Sequence, residues 1–96
     1  MKPSQALEAN REAIRAAVTR HKAANPRVFG STLRGEDTGA SDLDILVDTL
    51  PGATLFDLGG LQLELEKLLG VKVDVRTEFE LSPRFRRAVL EKARPV

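Results

Sequence analysis

Ninety-six residues, 42% hydrophobic and 30% charged, suit one soluble globular domain, residues 1–96, with a small core. Fifteen basic against fourteen acidic side chains leave a net charge of +1, so bulk electrostatics neither demands nor excludes a polyanionic partner. Cysteine is absent, no apolar run approaches the roughly 18 residues of a membrane-spanning helix, and the opening MKPSQALEANREAIR lacks a signal-peptide core, so a cytoplasmic protein is expected.

Residues 4–24 read as one helix, with Ser4 as its cap and Leu7, Ile14 and Val18 on a stripe with Ala6, Ala13 and Ala17. Asn25-Pro26 ends it. His21, in its last turn, suits the helix dipole and has no second histidine or cysteine with which to share a metal. A short strand over Arg27–Phe29 breaks at Gly30-Ser31 into a helical turn that Gly35 closes. Strand, small residues and helix start together point backbone N–H groups at an anion. After the polar turn 35–41, a second strand over Leu43–Asp48 puts Leu43, Ile45 and Val47 on one face and Asp42, Asp44, Leu46 and Asp48 on the other.

Thr54 is placed to cap a helix over 55–69, with Leu58, Leu61, Leu65 and Leu68 as its stripe, Leu63 outside it and Gly70 as its end. Gly59-Gly60 weakens the first turns by about 1–2 kcal/mol unless something packs against that backbone. VKVDVRT, 71–77, alternates as a third strand with Val71, Val73 and Val75 inward and Lys72, Asp74 and Arg76 outward. Ser82 and Pro83 then start a final helix with Phe85, Ala88 and Val89 on its apolar side. Its cations, Arg84, Arg86, Arg87, Lys92 and Arg94, fit a phosphate or partner contact as well as a plain solvated face. The expected fold class is α/β (α+β): a small mixed sheet with helices on its valine and leucine face and carboxylates on the other.

Carboxylates at alternate positions of a strand repel one another and cost free energy to desolvate, so a fold gains nothing from them by themselves. With the second and third strands as neighbours, Asp42, Asp44 and Asp74 converge. Hard oxygen donors without histidine or cysteine suit Mg²⁺ or Mn²⁺ rather than zinc. Metal-bridged phosphate beside a Gly-Ser cradle is equipment for phosphoryl or nucleotidyl transfer. GSTLRG lacks the lysine and glycine spacing of a P-loop, and no GxGxxG, EF-hand loop or G-x-S-x-G elbow is present. Asp48 belongs to the strand end.

Gly30-Ser31, ten further residues, then Asp42-Leu43-Asp44, with Arg34-Gly35 inside the loop and Ser41 before the first aspartate, resembles the signature of the DNA polymerase β-type nucleotidyltransferase superfamily. Asp74 in VDVR matches that family's third carboxylate. The small size and the order of PG turn, leucine-rich helix and VDV strand are similar to the minimal nucleotidyltransferase (MNT) branch, a resemblance covering nearly the whole chain. It implies the polymerase β-type fold, with Gly30 and Ser31 holding the triphosphate of ATP, Asp42 and Asp44 ligating metal, and Asp74 ligating one metal and helping to deprotonate the incoming hydroxyl. Arg34 would lie near phosphate or support the loop. The branch also implies a HEPN-domain toxin as partner, with AMP transferred from ATP to it in the manner of a type VII-like antitoxin.

Two functions follow from these expectations. One is an Mg²⁺-dependent protein adenylyltransferase whose acceptor supplies the surface that a chain of 96 residues has no room for. The other is a non-catalytic antitoxin or binding module that neutralises its partner by complex formation. The absence of tyrosine and tryptophan leaves few platforms for stacking a nucleic acid strand, so direct nucleic-acid binding is not expected.

Overall fold

In the computed structural model, which describes residues 1–96, the chain runs α1 (Pro3–Ala9), α2 (Arg11–Arg20), β1 (Ala23–Phe29), α3 (Ser31–Arg34), β2 (Leu43–Thr49), α4 (Leu55–Leu69), β3 (Val73–Arg76), a 3-10 turn (Glu78–Glu80), α5 (Pro83–Lys92) and β4 (Arg94–Pro95). The sheet order is β3-β2-β1-β4; β1 is antiparallel to both β2 and β4, and β2 is parallel to β3. The expected mixed α/β class is what forms.

Alternation in LDILVD and VDV turns Leu43, Ile45, Val47, Val73 and Val75 to one face, where they join Val28 of β1. Ile14, Ala17 and Val18 of α2 and Leu61, Leu65 and Leu69 of α4 cover that face, and all of these side chains are buried. Each large aliphatic group removed from water contributes about 1.5–3 kcal/mol, so this layer is the main source of stability. Parallel pairing of β2 with β3 requires a crossover, and α4 supplies it. Thr54 caps α4, its backbone N–H donating to Asp57 Oδ2 at 2.7 Å, and Gly70 ends the helix at φ 68°. Of the two glycines in α4, Gly59 faces open space, while a Cβ on Gly60 would lie 3.1 Å from the His21 ring. His21 therefore does more than meet a dipole: its Nε2 stands 3.1 Å from Glu64 Oε1, and Arg20 pairs with the same carboxylate, closing α2 onto α4.

Several expectations are corrected. The single helix over 4–24 is two, interrupted at Asn10, whose φ of −135° is not helical and whose Nδ2 donates to Ala6 O at 2.9 Å. Asparagine competes in this way for the backbone acceptors a helix needs. Lys2, not Ser4, is the first cap, and the Ser4 backbone N–H instead donates to Asp37 Oδ2 at 2.8 Å, so the turn after α3 is tied to the start of α1. Residues 23–26 belong to β1. Asn25 adopts φ 52°, and the register slips between Ala24 and Arg27, a bulge that admits Pro26 to the strand. The expected strand 71–77 is shortened to β3.

In α4 the step after Leu65 is four residues rather than three, so Leu69 is buried and Leu68 is 41% exposed. The face expected to be polar is interrupted by Leu46, which is fully buried. No residue of α5 is buried, and Phe85 is 59% exposed, so its apolar side does not pack into the core. Arg86 holds this helix instead, donating to the Glu78, Phe79 and Leu81 carbonyls at 2.9, 3.3 and 3.2 Å. β4, which no pattern announced, pairs with β1, and the Val96 N–H that follows it donates to Pro26 O at 3.0 Å.

Candidate active site

Asp44 and Asp74 are direct partners in the parallel register of β2 and β3, and Phe29 is the partner of Asp44 on β1. Strand alternation and register thus bring both carboxylates to one face beside the residue at which β1 gives way to α3. That residue must be glycine. Gly30 has φ 75°, a left-handed backbone that strains any side chain, and a Cβ there would fall 2.3 Å from Asp44 Oδ2 and force that carboxylate to shift. Ser31, half-buried, starts α3, and Gly35 closes it at φ 72° in the left-handed form.

Asp42 lies one residue ahead of β2 and is exposed, while Asp44 and Asp74 are half-buried. Burial pushes the Asp44 carboxyl up from 3.8 to about 6, and the charges of Asp74 and then Asp42 add to the rise, partly offset by Arg76 and Arg34. Asp44 therefore senses both Asp74 and Asp42 electrostatically. In the conformation they hold, no group of three carboxylate or imidazole side chains is drawn together closely enough to clasp an ion. Asp74 is already engaged: its Oδ2 accepts from Arg76 Nε at 3.0 Å, with Nη2 at the same distance. Arg34 is likewise occupied, its Nε 2.8 Å from Glu36 Oε1.

Beside Gly30 a groove of about 400 Å³ runs between α3 and α5, lined by Phe29, Leu33, Phe85 and Val89 and by Arg34 and Lys92. Sequence reasoning gave no role to Arg76, Asp37 or this groove. Only Arg76 left a signal, standing two residues after Asp74 and hence on its face.

Residues 11–96 match the family described as nucleotidyltransferase domain. This chain belongs to that family. As a nucleotidyltransferase it has relatives among named proteins and neighbours among solved structures. It is 39% identical over 74 residues to a Methanocaldococcus jannaschii protein provisionally named protein adenylyltransferase MJ0435, covering 77% of this chain and 80% of that one. A solved structure provisionally described as a minimal nucleotidyltransferase is 48% identical, with a TM-score of 0.86, covering 97% of this chain and 95% of the other. A toxin-antitoxin crystal structure with AMP-PNP shares the fold, with a TM-score of 0.64 at 21% identity over 95% of this chain and 66% of that one.

Proposed function

We propose that this nucleotidyltransferase moves AMP from ATP onto a hydroxyl of a partner protein, and that the partner is a HEPN-domain toxin for which the chain is the antitoxin. The observation that carries the reading is the pairing of Asp44 with Asp74 against the backbone of Gly30, two carboxylates and a side-chain-free approach at one point of the sheet. The relative named as a protein adenylyltransferase supports the reaction class, and the toxin-antitoxin neighbour supports the kind of partner.

In this reading Gly30 and Ser31 receive the triphosphate, at the junction of β1 and α3 beside Asp44. Asp42, Asp44 and Asp74 would hold Mg²⁺ or Mn²⁺, and an all-carboxylate donor set fits those ions. Bound there, the ion would supply charge neutralisation for phosphate oxygens. The acceptor hydroxyl oxygen forms the new bond to the α-phosphorus, the bond to the β-phosphate bridge breaks, and pyrophosphate leaves. Asp74 takes the hydroxyl proton. Arg34 reaches phosphate once it releases Glu36.

Incubation with labelled ATP, Mg²⁺ and the protein encoded beside it should add AMP to that protein, detected as a mass gain. Asp42→Ala/Asp44→Ala should abolish the gain. No gain with the wild-type chain, or the same gain with the double variant, would sink the enzymatic reading. The ungathered carboxylates favour one alternative, neutralisation by binding alone. In that case the double variant still silences the partner.

A further inference from the structure

We infer that Arg76 is the resident counter-ion of the carboxylate pair and competes with the divalent cation for Asp74; the inference rests on the metal-dependent reading above. Register places Arg76 opposite Leu46, one pair along from Asp44 and Asp74, and residues two apart on a strand share a face. Both nitrogens of its fork, Nε and Nη2, lie 3.0 Å from a single oxygen, Asp74 Oδ2. A positive charge therefore sits on one of the two oxygens that a bound ion could use.

Two features make the pair exchangeable rather than structural. The guanidinium has no hydrogen bond besides those to Asp74, and the two side chains are 43% and 34% exposed, so Arg76 can leave toward solvent without breaking anything else. Arg86 is the contrast, with three backbone carbonyls that would be orphaned if it moved. Exposed ion pairs of the first kind are weak, and a doubly charged ion sensed by further carboxylates outcompetes them. Arg76 thus lowers the cost of keeping Asp44 and Asp74 side by side before the ion arrives, and it sets how much ion is needed to displace it. The liberated guanidinium then stands beside the site with its donors free.

The test is Mn²⁺ binding to the purified chain without nucleotide, read by the loss of the free-ion electron paramagnetic resonance signal. Arg76→Met should tighten Mn²⁺ binding roughly three- to tenfold. Arg76→Lys, which keeps the charge, should stay nearer to wild type. Arg87→Met, which removes a cation paired with Glu91, controls for net charge and should change nothing. Equal affinity in wild type and Arg76→Met, or weaker binding in the variant, overturns the inference while leaving the carboxylate site standing. Binding that survives Asp42→Ala/Asp44→Ala unchanged overturns the site itself, and the inference with it.

Discussion

Asp44 is a charge kept where it is costly. Between pH 3.8 and about 6 the folded chain holds a proton there that the unfolded chain has lost, so stability falls as pH rises through that window. Asp44→Asn should stabilise metal-free protein at pH 7 by about 1–2 kcal/mol, partial solvent access having reduced the effect, and should give no gain well below pH 3.8, where both states are protonated. An equal gain at both pH values would mean that the charge is not the cause. Asp37 has the opposite sign. Accepting the Ser4 N–H holds its carboxyl below the ordinary 3.8, so its contribution is present above that value and is lost as pH falls through its lower folded pKa. Asp37→Ala should lower the melting temperature at pH 7, with the difference shrinking toward pH 2.5 in a thermal scan followed by circular dichroism.

Among the elements, α4 makes the sharpest demand on side-chain placement. Its paired glycines look equivalent in sequence, yet one meets open space and the other the His21 ring. Gly59→Ala should stabilise the protein by about 0.5–1 kcal/mol through helix propensity. Gly60→Ala should give none of that gain, or a loss, because the new methyl meets His21 Cε1 at 3.1 Å. Chemical denaturation of the two variants checks both, and equal stabilisation would mean that the ring moves freely. The strands and caps around α4 were legible because alternation and capping residues act locally: Leu43–Val47, Val73–Val75, Thr54 and Gly70 all behave as their types dictate. The slip from Leu68 to Leu69 was not legible, since an apolar stripe tolerates a step of three or four equally well. Nor was the strand character of 23–26: Asn25-Pro26 is an ordinary stop signal, and only pairing with β2, and of Pro26 with Val96, overrides it.

At the scale of the molecule, Asp44 and Asp74 could be placed side by side because strand alternation survives any arrangement of the helices, and the adjacency of β2 and β3 did the rest. The pairings of Arg34 with Glu36 and Arg76 with Asp74 could not be read, because each is a choice among several nearby partners made by side-chain rotation. α5 is anchored differently from the helices that cover the sheet. A helix with no buried side chain, fastened by the Arg86 guanidinium and a two-residue strand, has little free energy holding it closed compared with the sheet it lies beside. Its amides should trade hydrogen for deuterium through a local opening well before β2 does, and Arg86→Met should speed exchange in 83–92 while leaving β2 and α4 protected. Uniform slow exchange across α5 would contradict this. The wall of the groove next to Gly30 is then less firmly held than the sheet beside it, and whatever enters there meets an edge that can yield.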